Sequence, residues 1–336
     1  MTDRQRSRRY VEREAVSRQR IRARRQQARR KQQRLFLLLQ ILIIAVIFLL
    51  VWNIRLQLDR TKQTGAGVNR STVFSFGKDE NRTKDTFAKD DYPARIEAIE
   101  VAAPVKRSRE EVFSKIEALA ADSAVIHEIW ENRDAYPDNM LEALANNPEM
   151  ADFVSGYPTS ERQAQGTLTD TEKEAAYPLF LQWDPRWGYA PYGDDSCIGI
   201  AGCGPTCLSM ALYALTRDAS LTPAALADYS MQNGYYMSGT GTMWSLMNDV
   251  PPNYGVKVSN PGISDSVMKQ ELSAGKILIC AMRPGDFTAA GHFIVIYGYD
   301  ESGFFINDPN CVARSVKSWS YDQIGGQIKQ LWSFGI

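Results

Sequence analysis

Apolar positions along this chain change their period three times, and each change marks a boundary. Residues 35–54, LFLLLQILIIAVIFLLVWNI, carry no charge and only Gln40 and Asn53 as polar side chains. A run of roughly 20 such residues is long enough to cross a bilayer core as a helix. From Ser108 the apolar residues recur at helical spacing: Val112, Ile116 and Leu119, then Ile126, Ile129 and Trp130, then Met140, Leu141 and Leu144, then Phe153 with Val154. Ser108 with Glu111 has the spacing of a capping box, and Pro137, Pro148 and Pro158 divide the segment into short helices. After Ala176 the pattern predicts a strand over 178–182, a helix from Cys203 carrying Leu208, Ala211, Leu212 and Leu215, and a second helix opened by Thr222-Pro223. Beyond Tyr254 the runs shorten and become β-rich. They predict strands over 255–259, 277–282, 293–299, 304–307 and 330–334, with one helix over 264–273. Helices followed by a hairpin-linked sheet make the expected fold class α+β.

Charge orients the apolar run. Residues 1–34 hold 14 Lys or Arg against Asp3, Glu12 and Glu14, so the chain's overall net charge of zero conceals a basic tail and an acidic remainder. A basic block before a span places the N-terminus in the cytoplasm, and Trp52 suits the opposite interface. A cleaved signal peptide fits less well, because the run exceeds a typical apolar region and Asn53-Ile54-Arg55-Leu56 offers no small-residue cleavage pattern. The expected organisation is a basic cytoplasmic tail over 1–34, a transmembrane helix over 35–54 and a flexible stalk over 55–106. A helical accessory region over 107–175 and a catalytic domain over 176–336 follow, both outside the membrane. Membrane lipid is then the partner of residues 35–54 and of the basic tail, through anionic headgroups, and no nucleic acid is expected.

Candidate chemistry begins with Gly202-Cys203-Gly204-Pro205-Thr206. Pro205 suits the first turn of a helix, which sets the Cys203 thiol at a helix N-terminus. There the positive end of the dipole favours a thiolate, and backbone amides face a developing oxyanion. The chain has two histidines. His127 lies within a helical pattern, where a solvent-facing or capping role is expected. His292 opens the apolar run Phe293-Ile294-Val295-Ile296 and is the candidate base. Asp308 would orient it, reached through the turn Asp300-Glu301-Ser302-Gly303. A regular hairpin register sets Asp308 opposite Val295, where alternation turns it away from His292, so a bulge or bend at Asp308-Pro309 is required. Asn307 is the neighbouring alternative. Gln182 would supply a side-chain donor to the oxyanion. Tyr236, Gly241 and Trp244 are candidate substrate-binding residues, since aromatics and open backbone can hold an extended peptide. Thr242 alternatively caps the helix that contains Trp244 and Leu246.

Five cysteines in an external segment permit two disulfides and leave one thiol over. Cys197 and Cys311, in loops, could pair; Cys207 and Cys280 read as small buried hydrophobes. Zinc chemistry is disfavoured, because no histidine follows His127 by four places and no paired cysteines have ligand spacing. No serine sits in a nucleophile elbow. No metal or cofactor is implied.

Gln182-Trp183-Asp184-Pro185-Arg186-Trp187, Gly202-Cys203-Gly204-Pro205-Thr206, Gly291-His292-Phe293 and Asn307-Asp308-Pro309, in that order, resemble the cysteine peptidases related to the double-glycine leader peptidases, family thirty-nine in the papain-like clan. The resemblance spans about Tyr177 to the C-terminus. It implies a papain-like domain with Cys203 as nucleophile, His292 as base, Asp308 as orienting residue and Gln182 in the oxyanion hole. Leader peptidases of that family sit on the cytoplasmic side, fused to an export transporter. A single predicted span, an external domain and no nucleotide-binding motif mean that leader processing does not transfer. The expected function is a membrane-anchored extracytoplasmic cysteine peptidase acting on a protein, a secreted peptide or a cell-wall peptide. Two alternatives are a thiol acyltransferase or amidase acting on cell-wall peptides, and a non-catalytic surface binding module on the same scaffold.

Overall fold

Ser108 accepts a hydrogen bond from the Glu111 amide while the Glu111 carboxylate accepts from the Ser108 amide, closing the capping box that opens helix α1, Arg109–Ala120. The computed structural model describes residues 99–336. The basic tail, the predicted span and nearly all of the predicted stalk lie outside the described residues. Among the described residues no helix is long and apolar enough to cross a membrane.

Helices α2 (Ala124–Glu131), α3 (Asp138–Asn146) and α4 (Ala151–Gly156) follow α1. Their helical-period residues, among them Ile116, Ile129, Leu144 and Phe153, close one core with Leu181, Trp183 and Cys197 from further along the chain. The helical layer therefore buries its apolar face against the segment that precedes Cys203. Each such side chain contributes roughly 1.5–3 kcal/mol by leaving water.

A short helix α5 (Asp170–Glu174), capped by Thr169, leads into an irregular stretch and then α6 (Ile198–Ala201), α7 (Cys203–Thr216) and α8 (Pro223–Gln232). The Thr222 hydroxyl caps α8 as its Thr-Pro start predicts. A two-stranded hairpin, β1 (Tyr236–Met237) with β2 (Gly241–Thr242), and helix α9 (Leu246–Asp249) complete this half.

The second half is a six-stranded antiparallel sheet with strands β3 (Lys257–Ser259), β4 (Ile277–Met282), β5 (His292–Asp300), β6 (Gly303–Asn307), β7 (Ser318–Trp319) and β8 (Ile328–Gly335). Helix α10 (Asp265–Ser273) precedes β4; one-turn helices α11 (Val312–Ser315) and α12 (Tyr321–Ile324) flank β7. The strand order is β3-β8-β4-β5-β6-β7, so the last strand inserts between β3 and β4. Alternate residues separate to two cores. Ile277, Ile279, Ala281, Phe293, Val295 and Trp332 join the core of α7, and Leu278, Cys280, Ile294, Ile296 and Ile306 join Met268 and Leu272 of α10. With both faces covered, β4 is buried along its whole length. This is an α+β fold.

Two expectations change. The strand predicted over 178–182 forms no ladder: Phe180 donates its amide to the Met210 sulfur, Gln182 to the Pro309 carbonyl, and the carbonyls of Tyr177 and Pro178 accept from the Asn307 side chain. Pro178 has no amide to give, and side chains and a loop satisfy the segment instead. The second change is the hairpin register. Asp300↔Gly303, Tyr299↔Phe304 and Gly298↔Phe305 pair regularly, but the next pairs are Ile296↔Ile306 and Val295↔Asn307. Tyr297 is the extra residue of a bulge. The irregularity expected at Asp308-Pro309 thus lies inside β5.

Candidate active site

Two close approaches explain the glycines around Cys203. A Cβ on Gly202 would stand 2.6 Å from the Ile198 carbonyl oxygen, because α6 turns directly into α7 there. A Cβ on Gly204 would stand 2.6 Å from Thr242 Oγ1, because the β1–β2 hairpin rests on the first turn of α7. Thr242 does not cap the helix containing Leu246; its hydroxyl bonds Tyr192 at 2.7 Å, and Tyr192 bonds Ser230 at 2.9 Å. This hydroxyl chain fastens the hairpin to α8, and Thr242 also packs on the start of α7.

All five cysteines are free, so the Cys197–Cys311 pairing is not formed. Cys197, Cys207, Cys280 and Cys311 are buried and Cys203 alone is partly open. Burial pushes the Cys197 thiol up to about 11 and raises those of Cys207, Cys280 and Cys311 as well. Sealed, protonated thiols of this kind are inert packing residues.

His292 begins β5 opposite Met282. Its Nε2 lies 2.7 Å from Asp308 Oδ1, and the Cys203 thiol lies close enough to its ring to bear on its titration. With Nε2 occupied, Nδ1 is the nitrogen left for the thiol. Burial alone would lower the basicity of His292, but the charge and hydrogen bond of Asp308, with the Cys203 contact, raise its pKa from 6.5 to about 10. Asp308 is fully buried, and burial would raise its carboxyl. The charge and hydrogen bond of His292, the Arg314 guanidinium and the Asn310 amide outweigh that and hold it below its ordinary value. Asn307, the alternative orienting residue, gives its amide to the Tyr177 and Pro178 carbonyls.

Gln182 donates Nε2 to the Gly199 carbonyl at 2.9 Å, in the helical turn just before Cys203. Its Oε1 is sealed from solvent and has no protein partner. Reversing the amide would set two acceptors against each other, so this orientation stands, and Nε2 retains a second N–H. The rest of that hexapeptide is structural. The Trp183 indole donates to the Asn310 carbonyl, the Trp187 indole to the Leu181 carbonyl, and Arg186 is clamped between Glu172 and Asp184. The motif staples the loop that carries Gln182 to the loop that follows Asp308.

Tyr236 stands edge-on to Tyr192 with ring centroids 5.1 Å apart, and Gly241 opens β2 with φ +92°, a conformation that suits glycine. Trp244 is 39% exposed, set edge-on to the buried Trp332 at 5.7 Å, with Lys329 Nζ 5.2 Å from its ring. These three residues lie on or beside the hairpin whose Thr242 touches Gly204. His127 is exposed on α2. Among the described residues no cluster of His, Cys, Asp and Glu could hold a metal ion. Tyr192 reaches the site without any mark in the sequence pattern, and Arg314 with almost none. The one available cue was a basic residue six places after Asp308.

Residues 174–333 match the Peptidase_C39 like family model. No curated protein matches the chain. Among solved structures, the peptidase domain of Streptococcus ComA, described as a bi-functional ABC transporter involved in a quorum sensing pathway, is 16% identical. That match covers 47% of this chain and 98% of the other, with a TM-score of 0.33. A structure described as a C39-like peptidase from Bacillus anthracis is 17% identical, covering 48% of this chain and 94% of the other, with a TM-score of 0.30. The likeness to this family falls on the second half of the chain.

Proposed function

We propose that this domain is an active cysteine peptidase held at the outer face of a membrane by residues 35–54. The observation that carries the reading is the 2.7 Å contact from His292 to Asp308, with the Cys203 thiol close to the same ring. A thiol, an imidazole and a buried carboxylate in that order are the parts that acyl transfer to sulfur needs.

In the proposed reaction Nδ1 of His292 takes the Cys203 proton, and the sulfur adds to a peptide carbonyl. The resulting oxyanion accepts from the backbone amide of Cys203 and from the second N–H of Gln182. The orphaned Gln182 Oε1 supports this role, since leaving a buried acceptor unpaired costs about 1–3 kcal/mol and such costs gather at functional sites. His292 then protonates the leaving amine, the C–N bond breaks, and a thioester remains on Cys203. Water attacks the thioester as His292 takes its proton, and that proton returns to sulfur as the acid product departs. Asp308 holds the ring and stabilises the imidazolium throughout. Tyr236, Gly241 and Trp244 form one wall for an extended peptide chain, from a surface protein, a secreted peptide or the cell wall.

The test compares surface and secreted peptides from cells carrying the active protein with those from cells carrying Cys203→Ala. Fragments that vanish in Cys203→Ala and in His292→Ala, and on treatment with iodoacetamide, support the proposal. Identical peptide sets with all three proteins would favour a binding module instead.

A further inference from the structure

The carboxylate of Glu149 lies buried at the start of α11, far along the chain from its own position between α3 and α4 of the helical layer. It accepts from the Val312 amide at 2.8 Å and the Ala313 amide at 2.9 Å. Asn147, two residues earlier, accepts from the Glu149 amide and donates to the Asn310 carbonyl. The single turn of α11 in turn holds Asp308 twice. Ser315 Oγ accepts from the Asp308 amide at 2.9 Å, and Arg314 Nη1 donates to Asp308 Oδ2 at 3.4 Å. Arg314 is itself 2% exposed, donating also to the Ala102 carbonyl, while the Trp319 indole donates to its own carbonyl.

A one-turn helix has too few internal hydrogen bonds to hold its own shape, so its external partners decide where it sits. Glu149 satisfies two of its leading amides at once, with a charged acceptor in a buried setting where such bonds are strong. Asp308 cannot move toward or away from His292 unless Arg314 and Ser315 move with it. We infer that Glu149 is a positioning residue through which the helical layer, acting on α11, holds Asp308 against His292. The inference rests on the peptidase reading above. It makes the thiol's activation depend on a region outside the family match, which begins at residue 174.

The test uses the full-length protein in membranes, with iodoacetamide as the probe and mass spectrometry to read alkylation of Cys203, the one cysteine that is not buried. Glu149→Gln keeps the side-chain shape but turns a donor toward one of the two amides. It slows alkylation at neutral pH about tenfold, the lower end of the effect of a partner one step removed from the chemistry. It also moves the His292-dependent inflection of the alkylation pH profile down toward 6.5, the ordinary histidine value. Leu144→Ala, in the core of the same helical layer but outside the hydrogen bonds that hold α11, lowers the melting temperature and leaves both rate and inflection in place. Wild-type alkylation in Glu149→Gln, or an equal loss in Leu144→Ala at matched folded fraction, overturns the inference. His292→Ala separates the two levels. If it leaves alkylation unchanged, the thiol–imidazole reading falls and this inference with it. If it slows alkylation while Glu149→Gln does not, only the inference about Glu149 falls.

Discussion

Asn307, one residue before Asp308, is the residue that faces Val295 across β5 and β6. The Tyr297 bulge adds one residue to β5, so every pair on the His292 side of it is displaced by one. Continued a step further, the same register sets Asp308 beside Ile294. The extra residue thus brings Asp308 one position nearer to the end of β5 that His292 heads. The geometry agrees with the 2.7 Å contact between the two side chains.

Deleting Tyr297 removes the extra residue and moves Asp308 one position away from His292 along β5. The expected outcome is a loss of about 10³–10⁴-fold in activity, of the order found when an orienting carboxylate is lost from a triad. Circular dichroism checks that the sheet survives. Unchanged activity with a retained sheet would show that the bulge does not govern the contact.

Asp308→Asn should change stability in a pH-dependent way. The pKa of His292 is raised from 6.5 to about 10, so its contribution is complete below 6.5 and is lost as pH rises through about 10. The carboxyl of Asp308 is held below 3.8, so its contribution is present above that value and is lost as pH falls through the lowered one. Urea denaturation across pH should show the largest gap between wild type and Asp308→Asn on the plateau between 3.8 and 6.5. The gap should narrow toward pH 10. A gap of constant size would refute the pairing.

Gly204→Ala places a methyl group against Thr242 at the first turn of α7. Overpacking of this kind costs about 1–3 kcal/mol. Because the displaced turn carries Cys203, alkylation should slow by more than the loss of folded protein explains. Chemical denaturation and timed alkylation, run on the same preparation, separate the two effects.

Arg186→Met strips a half-buried guanidinium from between Glu172 and Asp184, both of which are buried. Removing one member of a buried ionic group costs about 3–5 kcal/mol, because the partners stay behind uncompensated. Thermal unfolding should show a fall of several degrees at pH 7. A triple replacement with Glu172→Gln and Asp184→Asn should recover part of it.

Trp244→Ala, once a cleaved peptide is in hand, should raise KM severalfold while kcat changes little, the pattern of uniform binding lost. The ring is partly exposed and makes its main contact with Trp332, so stability should fall by about 1 kcal/mol or less. A drop in kcat with KM unchanged would move Trp244 from the substrate wall to support of the chemistry.

The α+β class, the helix start at Cys203 and the strand start at His292 were all legible in the residue pattern. Helical spacing, a capping box and β-rich runs are local signals, and they report on turns and strands a few residues long. The short elements were not legible: the β1–β2 hairpin, α6, α11 and β7 hold too few residues for a period to emerge. Thr242 illustrates the limit. It looked like a helix cap in sequence and is instead the hydroxyl that rests on Gly204 and joins Tyr192.

What the sequence determined by itself is the inventory: one cysteine at a helix start between two glycines, one histidine at the head of an apolar strand, and an aspartate after the next. These depend on residue type and local spacing, so one dimension suffices to see them. Only the tertiary structure decided that Asp308 meets His292, because a single extra residue at Tyr297 shifts every pair beyond it by one. Only the tertiary structure, too, brings Glu149 to the start of α11 and Arg314 to Asp308. Glu149 lies 163 residues from the Val312 amide it holds, and burial gives both pairings their strength, a property that no local pattern carries.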